Sequence, residues 1–248
     1  MGRVVVPVEI LAGESVAAGL IDLLAPMEVT LLGYHEVPDQ TPPEQAELQF
    51  ETRATDALDA LAGTFADAGA TPDRRLVFTQ DRERTVERVA GEVDAQAVVH
   101  PGIVDQVEDL LVVLRGTHPT TKILAFVEAL VADRPIDVTL QLLADPGVSA
   151  DQTLDVAASR LRDAGIVVHP ERVDADTSTA EVVVAARGHD AVIVGQRAAT
   201  LASMIFGEDA DRLSEGFPGP VLVVQTEPAD DDSGDTEPAG GDQPAADE

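Results

Sequence analysis

The sequence predicts an α/β protein built on parallel sheet covered by helices on both faces, with the unit laid down twice. Three observations predict it. Val-rich runs alternate with helical patterns, the runs are continuously apolar, and the same succession begins again near residue 109. Strands joined through helices are parallel βαβ units, and a strand covered on both faces reads as an unbroken apolar run.

The elements follow in order. Val4 to Val8 is a first strand, Glu14 to Ala25 a helix, and Val29 to Tyr34 a second strand. Pro43 to Ala68 is a long helix with apolar residues at helical spacing. Leu76 to Thr79 is a third strand. Asp81, a short acceptor ahead of the next periodic stretch, is the N-cap of a helix running to Val93, and Ala97 to His100 is a fourth strand.

The second copy mirrors the first. Asp109-Leu-Leu-Val-Val-Leu-Arg115 matches Arg3-Val-Val-Val-Pro-Val-Glu9, and Asp137-Val-Thr-Leu140 matches Glu28-Val-Thr-Leu31. Asp190-Ala-Val-Ile-Val194 matches Gln96-Ala-Val-Val-His100. The offset falls from 109 at the second strand to 94 at the fourth, because the second helix of the second copy, Asp151 to Ala164, is shorter. Ser178-x-x-Glu181 is a capping box for the next helix. After the fourth strand the first copy has only Pro101 to Glu108 before the repeat restarts, whereas the second continues through Gly195 to Gly219 into Pro220-Val-Leu-Val-Val224. The organisation expected is therefore 1–107, 108–226 and an acidic tail from 227 to 248. That tail carries nine acidic residues, no basic ones and no large apolar side chain, a composition that cannot order itself.

Charge and composition narrow the function. Forty-six acidic residues oppose 16 basic ones, only Lys122 is a lysine, and the net charge is -30. Such a surface disfavours nucleic acid and anionic membranes. It reads as adaptation to a very salty interior: at molar salt the Debye length is about 3 Å, so self-repulsion is screened and stability should rise with salt. No apolar run is long enough to span a bilayer and the N-terminus reads as a strand, so a cytoplasmic protein is expected. Cys is absent, which removes thiolate nucleophiles, disulfides and Cys-ligated metals.

A first strand ending in Pro-Val-acid, and Asp190-Ala-Val-Ile-Val-Gly195 followed by Gly219-Pro-Val-Leu-Val-Val224, resemble a tandem universal stress protein over about residues 1 to 226. The resemblance implies flavodoxin-like strand order 3-2-1-4-5 in each unit, with the first truncated after strand four. It places any ligand at the crevice between strands one and four. Nucleotide-binding members carry Gly-x2-Gly-x9-Gly-(Ser/Thr) after strand four, whose glycines bring backbone N–H groups to phosphates. Here Gly195 is followed by Arg197 and Ala198, the next glycine is Gly207 with one residue fewer between, and Glu208 replaces the hydroxyl. The acid expected at the end of strand one is Glu9 in the first copy and Arg115, followed by Gly116, in the second. ATP in the family's usual mode is therefore not expected. Arg115 and Arg197 remain candidates to hold an anion between forked donors, or else to pair with Glu208 or Asp209.

Other chemistry finds no support. Histidines 35, 100, 118, 169 and 189 lack metal-ligand spacing, and no serine sits in a Gly-x-Ser-x-Gly elbow. The expectation is a non-enzymatic stress-response or regulatory protein without cofactor, acting through protein contacts. The resemblance suggests a membrane transporter as partner. A homodimer is expected through Val221, Leu222, Val223 and Val224, an apolar strand that needs covering. The alternative is an ATP- or AMP-binding protein, or slow ATPase, using an altered loop at 195–208; a flavin electron carrier is a weaker third.

Overall fold

The computed structural model describes residues 2–38, 40, 42–115, 120–143, 150–173, 184–195 and 217–225. In chain order they form β1 (Arg3–Glu9), α1 (Ala18–Leu24), β2 (Glu28–Glu36), α2 (Pro43–Asp67), β3 (Asp73–Thr79), α3 (Arg82–Glu92) and β4 (Ala97–His100). Then come β5 (Asp109–Arg115), α4 (Thr120–Val131), β6 (Asp137–Leu143), α5 (Ala150–Asp163), β7 (Val168–Arg172), β8 (Ala191–Gly195) and β9 (Val221–Val224). The capping box at Ser178 and Glu181, the helix expected after Gly195, and the acidic tail lie outside the described residues.

All nine strands join one sheet in the order β3-β2-β1-β4-β9-β8-β5-β6-β7. The order 3-2-1-4 is thus met twice, the second time as 7-6-5-8, with β9 in the fifth position. Internal similarity of sequence becomes identity of register: Arg3 of β1 faces Glu28, and Asp109 of β5 faces Asp137. Neighbouring strands are parallel except β4 and β9, which run antiparallel. The two halves therefore point their strand ends in opposite directions.

This arrangement overturns the expectation that Val221–Val224 is an open edge for a second copy. β9 pairs with β8 on one side and β4 on the other, and all four residues are at most 6% exposed. The first half ends its sheet at β4, which would leave that edge bare. The same chain's β9 covers it.

Packing follows the strand alternation. Leu20 of α1, Leu58 of α2, Val127 of α4 and Leu161 of α5 share one core with Val4, Leu31, Val112 and Leu140. On the other face Val86 and Val89 of α3 cover Val5, Leu32 and Val98, while Ala186 and Phe217 cover Leu111, Val192 and Val223. Arg134, just past α4, joins the halves at helix ends. It donates to the carbonyls of Asp22 and Leu23 at the end of α1, at 2.8 and 2.9 Å, and to those of Leu130 and Val131 in α4. A cation there satisfies orphan carbonyls and opposes two negative helix ends together.

Two expected boundaries move. α1 begins at Ala18 rather than Glu14, because Gly13 turns the chain at φ +80° and the Glu14 carboxylate folds back to accept from the Glu9 N–H at 2.7 Å. β3 begins at Asp73, three residues ahead of the apolar run, where polar residues sit on an exposed edge.

The link from β4 to β5, 101–108, is held along its length. Ile103 N–H donates to the Pro218 carbonyl at 2.8 Å, Gly19 N–H to the Val104 carbonyl at 3.3 Å, and Glu108 and Asp109 N–H to the Asp190 carboxylate at 2.8 and 2.9 Å. Gly102 passes so close that a Cβ would lie 2.2 Å from the Gly219 carbonyl carbon. Backbone against backbone cannot yield as a side-chain tip can. Gly102→Ala is accordingly expected to cost about 2 to 3 kcal/mol in denaturant unfolding. Gly63→Ala on the open side of α2, where an added Cβ meets nothing within 4 Å, should add about 0.5 to 1 kcal/mol.

Candidate functional site

In an open α/β sheet, the natural crevice lies at the carboxyl ends of the strands where the order reverses. In the first half that is between β1 and β4. The apolar strands there end in polar residues: Glu9 closes β1, Tyr34, His35 and Glu36 close β2, and His100 closes β4. Arg82 joins them from the first turn of α3, which Asp81 caps by accepting from the Arg84 N–H at 2.9 Å. The capping residue read from sequence is the one in place.

The groups satisfy one another. His35 Nδ1 lies 2.9 Å from Glu9 Oε1, and the Glu36 N–H donates to the same oxygen at 3.4 Å. Phe50 and Phe78 meet the His35 ring edge-on, with centroids 5.7 and 5.9 Å away. The Arg82 guanidinium stands 5.3 Å over the centre of the Tyr34 ring, a cation–π contact. Beside it, the hydroxyls of Thr79 and Thr85 share a buried hydrogen bond of 2.8 Å.

Burial dominates the electrostatics. Tyr34 is 3% exposed, and burial pushes its phenol up to about 12, with Arg82 opposing and Glu14, Glu9 and Glu36 adding. His100 is pushed down to about 4 by burial and by the Arg82 charge. Near neutral pH the phenol is protonated and the His100 imidazole uncharged, so neither is poised for proton transfer. One guanidinium is set among three carboxylates, a balance that favours hydrogen-bond donors and cations over phosphate. Among the described residues, no group of three or more His, Asp or Glu could hold a metal ion.

Of the residues predicted from sequence, the structure brings Arg115 and Gly195 to neighbouring strand ends: β5 and β8 pair through Val113 and Val194, just short of both. Gly116, Arg197, Gly207 and Glu208 lie outside the described residues. The second crevice differs from the first, since Leu143 and Val194 occupy positions corresponding to Tyr34 and His100. Tyr34, His35 and Arg82 were absent from the sequence-derived site. The signal for them is Tyr-His-Glu closing an otherwise apolar strand.

No family model matches the chain, and no curated protein does either. Among solved structures it is similar to a universal stress protein from Archaeoglobus fulgidus DSM 4304 at 13% identity, covering 90% of this chain and 96% of that one with a TM-score of 0.62. It is also similar to the cytoplasmic domain of a prokaryotic cation chloride cotransporter at 12% identity, covering 90% and 94% with a TM-score of 0.48. The first of these shows the fold: the chain is universal-stress-protein-like in architecture.

His100 makes stability depend on pH in a definite direction. Its folded value is depressed, so below about 6.5 the unfolded chain binds the extra proton first, and stability falls as pH drops toward about 4. The contribution across that window is on the order of 2 to 3 kcal/mol. In urea unfolding at fixed high salt, His100→Gln should lose less stability than the parent between pH 7 and 4.5. Parallel losses would show that His100 titrates normally.

Proposed function

We propose that the protein is a non-enzymatic regulatory module of the stress-response kind, working in the cytoplasm through contacts with other proteins. The universal-stress-protein-like fold supports the class. The observation that carries the mode of action is the first crevice, filled by its own side chains: Glu9 is engaged by His35, Arg82 by the Tyr34 ring, and Glu14 by the Glu9 N–H. A triphosphate entering there would meet carboxylates and a cation already committed to an aromatic face. The protein then works by the shape and charge it presents. The cytoplasmic part of a membrane transporter is the partner we put forward, and that rests on family resemblance alone. No helix among the described residues is long and apolar enough to cross a membrane.

A second reading, an adenine nucleotide held by the altered loop 195–208, draws on one observation: Arg115 and Gly195 end adjacent strands, β5 and β8. Calorimetry in molar KCl with ATP, AMP and cyclic di-AMP separates the two. Absence of binding heat, together with a specific protein recovered by pull-down from native lysate at high salt, is the expected outcome. Stoichiometric micromolar binding of any of the three would replace the first reading with the second. Tyr34 is the only tyrosine and Trp is absent, so its fluorescence reports independently on whether the first crevice is entered.

A further inference from the structure

With β9 enclosed, the nine-stranded sheet ends at β3 and β7, and these two edges are treated differently. β7 has five residues with Pro170 at its centre, a residue without an N–H that blunts an edge. β3 has seven residues and no proline: Asp73-Arg-Arg-Leu-Val-Phe-Thr79. Among the described residues only β2 pairs with it.

We infer that the β3 edge is the surface through which a second copy of this chain docks, extending the sheet by antiparallel β3 to β3 pairing about a two-fold axis. Backbone direction defines the register. The Thr79 carbonyl accepts from Val37 N–H at 2.8 Å on the β2 side. Residues two apart along a strand point their N–H and C=O groups the same way, so those of Arg74, Leu76 and Phe78 point away from β2. That set is self-complementary. Centred on Leu76, it places Leu76 opposite Leu76 and Arg74 opposite Phe78 of the second copy, with about six main-chain hydrogen bonds. Leucine meets leucine, a favourable cross-strand pair.

Charge selects the same place. The chain carries -30, yet β3 has two arginines, Arg74 paired with Asp59 of α2 and Arg75, against one aspartate. Two copies can approach there without setting carboxylate against carboxylate on the pairing strands. The flanking helix makes the contact conditional on salt. A two-fold axis perpendicular to the sheet brings α2 beside its counterpart, and besides Asp59, which pairs with Arg74, α2 carries Glu44, Glu47, Glu51, Asp56 and Asp67 against Arg53. Their repulsion reaches about 10 Å at 0.1 M salt and about 3 Å at 1 M, so the pairing closes at high salt and opens in dilute buffer.

Light scattering coupled to size-exclusion chromatography tests this on the full chain, with hydrogen exchange read alongside. At about 3 M KCl the mass should be twice the 26.0 kDa of one chain, falling to one chain at about 0.2 M. The amides of Arg74, Leu76 and Phe78 should gain protection as protein concentration rises at high salt. Leu76→Pro removes an outward N–H and leaves the β2 ladder intact, so it should halve the mass at about 3 M KCl with an unchanged circular dichroism spectrum. Should that variant fail to fold, the wild-type exchange data decide. A single-chain mass at every salt and concentration would overturn the inference. So would a dimer whose three edge amides stay unprotected, since its contact then lies elsewhere. Neither result bears on nucleotide binding, so this inference and the functional reading fail separately.

Discussion

β4 is four residues long and ends its half of the sheet, with a full row of backbone N–H and C=O groups that nothing in the first half can satisfy. Unpaired backbone of that kind either finds a partner or invites another chain. β9 resolves it from within, parallel to β8 on one side and antiparallel to β4 on the other. Nearly every other feature follows from this one strand. The halves share a single sheet, their strand ends face opposite ways, α1 and α4 meet near the centre where Arg134 caps both, and the link 101–108 must pass tightly beneath α1. Glycine at 102 allows the link to touch the Gly219 and Pro220 backbone where it crosses the approach to β9.

Two crevices with different chemistry result. The first is polar and internally paired, built on Glu9, Tyr34, His35, Arg82 and His100; the second has Leu143 and Val194 at the matching places and Gly195 at its mouth. The two halves of the sheet thus share a strand order without sharing the chemistry at its ends, and the first crevice is occupied by its own side chains.

Most of the architecture is legible in the sequence, because a buried parallel strand is a continuous apolar run and a repeat doubles the evidence for each element. Ala97–His100, Pro43 at the start of α2 and Asp81 at the cap of α3 can all be read directly. The role of Val221–Val224 cannot. An apolar strand at the end of a repeat looks the same whether its cover comes from another molecule or from β4 of its own chain, since pairing across 121 to 127 residues leaves no periodicity. The first crevice is half legible: Glu9 marks it, but Arg82 becomes part of it only when α3 lands beside β2, which no local pattern reports. Strand β3 is underestimated for a related reason, because an edge tolerates Asp73, Arg74 and Arg75 where a central strand would not.

The enclosure of β9 can be measured through a chain that contains no cysteine of its own. Gln225 N–H donates to the Gln96 carbonyl at 2.7 Å, so the next pair, Ala97 and Val224, faces without exchanging hydrogen bonds. In such pairs the Cα atoms lie about 4.5 Å apart, within disulfide reach. Ala97→Cys with Val224→Cys should therefore oxidise within one chain, giving a cross-linked monomer on a non-reducing gel and a single bridged peptide pair by mass spectrometry. Two reduced thiols, or a bridge formed only between chains, would contradict the account.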